Sequence, residues 1–287
     1  GKYAYGIRIA RSADSGRTWS ASVTPHTDGL EAEHGFVSLW AADSGSVGAV
    51  WLDGRKSAMP DSAREMTLRT ARVRPDGSLA DEAVLDARIC DCCGTATAPT
   101  RRGRVVVYRD RSPADVRDIG IVRQVDGRWL PPALVHADGW EIHGCPVNGP
   151  AVAAQGDTVV VAWFTKAQDT ARVQLAVSRD GGATFGTPVR IDEGNPLGRV
   201  ALVLDDAARP IVSWLERRSD TRAMVLVRRL SLDGARSRVR EVVGGAADRS
   251  SGFPRMARSR DSLHFFVTST RVGERTTTVH VLTGPID

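Results

Sequence analysis

The chain of 287 residues carries a formal net charge of +5, with 41% hydrophobic and 25% charged residues. It is long enough to bury a substantial core, and no apolar run approaches the ~20 residues of a membrane-spanning helix. Arginine outnumbers lysine 36 to 3, a skew that matches a GC-rich bacterial genome. Charges of both signs are scattered, without a basic stripe interleaved with aromatics, so neither nucleic acid nor a transmembrane segment is an expected partner.

In chain order, an alternating apolar run, Tyr5–Ala10, leads into Ser12-Ala13-Asp14-Ser15-Gly16-Arg17-Thr18-Trp19. Paired strand signals follow, each pair ending in an aspartate turn. Val47–Trp51 and Met66–Ala71 precede Pro75-Asp76-Gly77-Ser78, and Val105–Tyr108 and Ile119–Val122 precede Val125-Asp126-Gly127-Arg128-Trp129. Val159–Trp163 and Val173–Val177 precede Ser178-Arg179-Asp180-Gly181-Gly182-Ala183-Thr184-Phe185. Ile211–Trp214 and Met224–Val227 precede Leu232-Asp233-Gly234, and Leu263–Val267 and Thr278–Val281 close the series. β-Branched and aromatic residues fill these runs, Gly, Pro, Asp and Ser punctuate them, and no amphipathic helical stretch interrupts. The first run of each pair is read as the inner strand.

The turn aspartates at 14, 76, 126, 180 and 233 are 62, 50, 54 and 53 residues apart. A period of that size in an all-β sequence predicts the blades of a propeller. Residues 12–19 and 178–185 share the pattern S-x-D-x-G-x-T-[WF], in which Asp accepts hydrogen bonds from its own turn, Gly supplies a positive φ and the aromatic ring covers the hairpin. This motif is the Asp-box, or BNR repeat, of sialidase-like β-propellers, and the chain resembles that superfamily. The expected fold is all-β, a six-bladed β-propeller of four-stranded antiparallel blades with Asp-box turns, in a single domain over 1–287. Blade one is expected to be incomplete at the N-terminus, its first strands upstream of Gly1, and to close with the C-terminal blade. The resemblance also points to a periplasmic or secreted bacterial protein.

In such blades successive connections alternate between the two ends of the strands, so the aspartate turns share one face. The blade-to-blade links and the loops between second and third strands share the other. These segments hold the unusual residues: Glu31–Gly35, Arg88–Gly94, Trp140–Pro150, Asn195–Arg199 and Ser251–Arg255 in the links, and Asp53–Arg55, Arg109–Asp118, Lys166–Arg172 and Glu216–Arg218 in the loops. Arg199 and Arg255 stand at equivalent inner-strand starts of adjacent blades, with Arg55, Arg109 and Arg117 approaching from others. Asn148 lies in one link, and Trp140 offers a sugar-stacking platform. Arginine forks clamp carboxylates, and the resemblance implies a sialic acid carboxylate held by several of them, although Asp53, Asp110 and Asp118 are available as ordinary partners. Trp51, Trp163 and Trp214 recur at one point of the repeat and are read as inter-blade packing.

Sialidases use a Tyr nucleophile activated by Glu, because a carboxylate nucleophile is repelled by the substrate's own charge. That tyrosine belongs in the last blade, but residues 250–287 contain none; the chain has only Tyr3, Tyr5 and Tyr108. Tyr108, beside Arg109, is taken to face the mouth. A two-carboxylate hydrolase would draw on Glu33, Asp53 or Asp91. The four cysteines admit three readings. Cys90, Cys92 and Cys93 in one link and His143 and Cys145 in the next, with His34 at the matching point of a third, would suit copper or zinc. An even count in an exported protein suits disulfides, with Cys145 bonded to one of the other three. Free buried thiols complete the set. Three functions compete: a carbohydrate-active protein binding and hydrolysing an anionic glycan, needing no cofactor; an exported copper-type metal protein; and a catalytically silent glycan-binding propeller.

Overall fold

The computed structural model describes residues 4–59, 65–248, 252–270 and 277–286; Tyr3 and Ser251 lie outside them. Among the described residues the fold is all-β, in five antiparallel sheets of consecutive strands. The first sheet holds β1 (His34–Ala41), β2 (Val47–Asp53), β3 (Met66–Val73) and β4 (Leu79–Ile89). The second holds β5 (Ala96–Thr100), β6 (Gly103–Arg109) and β7 (Ile119–Val125), with β8 (Arg128–Trp129) and β9 (Ala133–His136) both pairing β7. The third holds β10 (Ala151–Gln155), β11 (Thr158–Thr165), β12 (Arg172–Ser178) and β13 (Val189–Arg190). The fourth holds β14 (Pro196–Leu204), β15 (Pro210–Arg217), β16 (Arg222–Arg229) and β17 (Arg240–Ala246), and the fifth β18 (Arg255–Ser259), β19 (Ser262–Thr270) and β20 (Thr277–Pro285). One helical turn, α1 (Arg55–Ala58), follows β2.

The apolar runs taken as inner strands are the second strands of their sheets. The innermost strands are β1, β5, β10, β14 and β18, which the blade-to-blade links lead into or form. β5, β10 and β18 read as links because they are only five residues long, and β1 and β14 because register shifts interrupt them, whereas the middles of β2, β6, β11 and β15 are covered on both faces and therefore largely apolar. Upstream of the first sheet, Ile9 bridges Val23 antiparallel and Tyr5 bridges Glu33 in parallel. Ile7 and Ile9 pack on Ala49, Trp51, Ala71 and Val73 of the first sheet.

The core lies between sheets. Val105, Val107, Ile119 and Ile121 of the second meet Val159, Val161 and Trp163 of the third; Phe164, Leu175 and Val173 of the third meet Leu202, Val212 and Trp214 of the fourth. Trp51, Trp163 and Trp214 are all buried. Each indole N–H finds an acid acceptor, Asp53 at 2.9 Å, Asp138 at 2.7 Å and Glu216 at 2.6 Å, as a buried indole requires.

The two full turn motifs have one hydrogen-bond network. Asp14 accepts from the Thr18 amide at 2.9 Å and hydroxyl at 2.7 Å, and Asp180 accepts from Thr184 at the same two distances. Ser12 and Ser178 accept from the amides of Gly16 and Gly182. Phe185 packs against the core between the second and third sheets, while Trp19 is 64% exposed and covers little. Asp126 departs from the pattern: its carboxylate pairs with Arg102, and Asp126 and Gly127 at φ 50° and 80° make a tight two-residue hairpin.

Candidate functional site

At the end of the sheets opposite these turns, segments from all five sheets surround one pocket of about 120 Å³. Phe36 comes from β1, Gly94 and Thr95 from the link before β5, Asn148, Gly149 and Pro150 from the link before β10, Arg199 and Val200 from β14, and Phe253, Pro254 and Arg255 from the entry to β18.

Local backbone irregularity aims these side chains inward. The β14–β15 register shifts on either side of Gly198, a bulge of the sort that redirects a side chain. Gly198 has φ 87°, and a Cβ there would lie 2.3 Å from Asn148 Oδ1. Arg199 follows at φ 57°, its amide donating to Asn148 Oδ1 at 2.8 Å and its Nη1 to the Val147 carbonyl at 2.5 Å. The guanidinium lies 4.1 Å from the centre of the Phe253 ring. Phe36, in the shifted stretch of β1, has φ 54°. Gly149 lets two links touch: a Cβ there would lie 2.2 Å from the Gly94 carbonyl oxygen.

Arg199 and Arg255 thus share the pocket wall, and among the described residues no carboxylate lines it. Arg255 is exposed, with no ion-pair partner among the described residues. Asn148, 7% exposed, is both lining and support, donating to the carbonyls of Pro146 and Leu197.

The other expected arginines are structural. Arg55 is buried and bidentate to Asp53, at 2.7 and 2.8 Å, with Asp28 at 3.1 Å. Asp53 is fully buried; against the cost of burial, Arg55 and Trp51 hold its pKa low, so it is not placed as a proton donor. Arg109, 1% exposed, donates to the carbonyls of Asn148 at 2.8 Å, Arg117 at 2.6 Å and Phe164 at 2.7 Å. Trp140 is not an open platform: it is buried between Arg109 and Phe164. Tyr108 does not face the mouth either. It is 1% exposed in the core of the first and second sheets, lies on Gly120 and donates to Asp86 at 2.5 Å, and burial pushes its pKa up.

A different tyrosine meets Glu33. The Tyr5 hydroxyl donates to the half-buried Glu33 carboxylate, and the Tyr5 ring lies on Gly35, next to the pocket residue Phe36. Burial, the Glu33 contact and the charge of Asp91 push the phenol pKa up. No local pattern pointed to this pair, since it depends on a parallel bridge between segments 28 residues apart.

Cys92 and Cys145 form a disulfide joining the second and third links. Cys90 and Cys93, each 1% exposed, are free, with Sγ atoms 2.9 Å apart. Cys90 Sγ lies 3.8 Å from Cys92 Sγ and 3.3 Å from Arg117 Nη1. The Cys93 hydrogen bond, the Cys92 amide and the charges of Arg109 and Arg117 pull Cys90 down to about 6 against burial. Burial and the Cys90 sulfur push Cys93 up. Arg117, 4% exposed, also meets Asp91 at 3.2 Å, so it serves the sulfur cluster rather than the pocket.

The histidines do not join these thiols. His143 is exposed and pairs with Asp115 and Glu141. His34 is buried, stacked on His26 at 3.8 Å and 2.9 Å from Asp28. Cys90, Cys92 and Cys93 are close enough to share one ion, but the disulfide uses Cys92, leaving two thiol donors where a tetrahedral zinc site needs four ligands.

Among the described residues no helix is long and apolar enough to cross a membrane. No family model and no curated protein matches the chain. Solved structures do. A K499G mutant of NanB sialidase from Streptococcus pneumoniae aligns over 93% of this chain and 60% of its own, with 10% identity and a TM-score of 0.58. NanB with 2-[(3-chlorobenzyl)ammonio]ethanesulfonate aligns over 99% of this chain and 64% of its own, at 10% identity and TM-score 0.55. This chain therefore spans less than two thirds of the NanB chains it matches, and what the two share is an all-β, propeller-like fold.

Proposed function

We propose that this chain is an exported, sialidase-like six-bladed propeller that binds an anionic glycan between Arg199 and Arg255 and cleaves it with Tyr5 and Glu33. The hairpin around Ile9 and Val23 counts as the sixth blade, beside the first sheet. The observation that carries the reading is the pair of guanidiniums in a pocket with no lining carboxylate among the described residues, a surface suited to a sugar carboxylate. The two NanB chains compared above are sialidases, one of them in complex with an ethanesulfonate, and this supports an acidic ligand.

Tyr5 and Glu33 give the reading its chemistry. A neutral phenol approaches the anomeric carbon of an anionic sugar without the repulsion a carboxylate meets. Glu33 takes the phenolic proton as the Tyr5–sugar bond forms, the bond to the aglycone breaks and the aglycone oxygen takes a proton from water. A second water then displaces Tyr5 from the sugar while Glu33 returns the proton to the phenolate. The raised phenol pKa keeps the hydroxyl protonated until then.

The test is release of a fluorescent aglycone from sialosides and uronides, with calorimetry for binding. Arg199→Ala or Arg255→Ala should weaken binding about 10- to 100-fold, the worth of one charge-assisted hydrogen bond. Tyr5→Phe should abolish turnover and leave affinity intact. Binding without turnover in the parent would reduce the protein to a glycan-binding propeller; absence of both would refute the reading.

A further inference from the structure

The sulfur cluster lies beside the pocket, and the glycan reading gives it no task. Two of its thiols are sealed from solvent, while Cys145 of the neighbouring disulfide is exposed. The sulfur of Cys90 is the element that connects them: it touches Cys93 at 2.9 Å on one side and stands 3.8 Å from the bonded sulfur of Cys92 on the other. The Arg117 guanidinium at 3.3 Å favours the thiolate form of Cys90, and thiolates are what attack disulfides.

We propose that the four cysteines form a disulfide relay, which carries two electrons from the buried Cys90–Cys93 dithiol to a small external disulfide. In the first step the Cys90 thiolate bonds to Cys92 Sγ, the Cys92–Cys145 bond breaks, and Cys145 leaves as an exposed thiolate. Cys93 then bonds to Cys90, its proton passing to the departing Cys92, so that a buried Cys90–Cys93 disulfide remains. The Cys145 thiolate next attacks the external disulfide and releases one thiolate. Cys92 gives up its proton and attacks Cys145, which releases the second and restores the Cys92–Cys145 bond. In balance, the buried dithiol is oxidised to a disulfide and one external disulfide is reduced to two thiols. The arrangement explains why a buried dithiol abuts a disulfide whose other end is open to solvent.

This inference stands apart from the glycan reading, and its test reads sulfur chemistry only. The folded chain, first adjusted to two free thiols with dithiothreitol or oxidised glutathione, is mixed with oxidised glutathione. It is then acid-quenched, alkylated and mapped by non-reducing peptide mass spectrometry. The expected result is two glutathione released per external disulfide consumed, with Cys90–Cys93 and Cys92–Cys145 both bonded. Cys90→Ser should slow this at least about tenfold, since it removes the only thiolate within reach of Cys92. Cys93→Ser should block the resolving second step, so that the Cys145 thiolate released by the first still attacks the external disulfide, leaving Cys90 bonded to Cys92 and glutathione trapped on Cys145, a species that a merely structural cluster does not yield. The relay is overturned if Cys90 and Cys93 of the parent persist as thiols in the folded chain yet alkylate on unfolding. It is equally overturned if Cys90→Ser reduces glutathione at the parental rate, or if the dithiol holds copper or zinc and stays inert.

Discussion

Arg109→Met tests whether the links around the pocket are held by one buried cation. Arg109 ends β6 and reaches three backbone carbonyls, those of Arg117 in the loop between β6 and β7, Asn148 in the next link and Phe164 in β11. Methionine fills similar space but donates nothing, so three buried acceptors lose a charged donor. Each such bond is worth roughly 1.5–3 kcal/mol, but the guanidinium no longer has to be desolvated and the three losses are not independent. A net destabilisation of about 3–5 kcal/mol is expected, the range seen when one partner of a buried charged contact is removed. For a chain of this size that corresponds to a melting temperature about 5–8 °C lower, read by circular dichroism or calorimetry. Arg109→Lys, which keeps the charge but cannot span three carbonyls, should fall in between. A methionine variant melting within about 1 °C of the parent would refute the argument, because that is less than about 1 kcal/mol.

Gly149→Ala should lower the melting temperature and weaken glycan binding, since its methyl would collide with the backbone of Gly94 at 2.2 and 2.8 Å. Gly94→Ala is the control for stability, because a Cβ there meets nothing within 4 Å; equal melting temperatures of the two would sink the idea. Asp110 has its pKa raised to about 6, by burial first and then by the charges of Asp86 and Asp118. Between the unfolded value of about 3.9 and about 6 the folded state binds more protons, so stability falls as pH rises through that window, and the penalty is complete above it. Asp110→Asn should therefore raise the melting temperature at neutral pH and leave it little changed near the unfolded pKa; the same offset at both would contradict the assignment.

Much of the architecture is legible in the chain because its signals are local. A turn aspartate bonds to a threonine four residues on, and a second strand covered on both faces must be apolar throughout. The innermost strands were harder: β5, β10 and β18 are only five residues long and β1 and β14 are interrupted by register shifts, so that no clean alternation marks them until the neighbouring sheets are in place. At the site, strand order alone gathered Asn148, Arg199 and Arg255 at one end. What the sequence could not rank was which guanidiniums are already committed. Arg55 is taken up by Asp53, two residues away and already a candidate partner, with Asp28 added by the fold, whereas Arg109 turned on carbonyls of the adjacent sheet and link, which are tertiary partners. Tyr5 was passed over for the same reason, since its pairing with Glu33 arises from a parallel bridge that no periodicity encodes. For the cysteines, spacing left three thiols open to Cys145, and only their geometry separates the bonded one from the buried pair.

Residue 199 also sets durability against purpose. A non-glycine residue in the left-handed region costs on the order of 1 kcal/mol or more, and the chain accepts that cost where the following sheet turns inward. Glycine at that position would relax the backbone, but it would give up the side-chain contacts to Val147 and Phe253 and leave the basin without one of its two cations. The strain at residue 199 and the grip on a ligand are therefore bound to the same side chain, and relieving one forfeits the other.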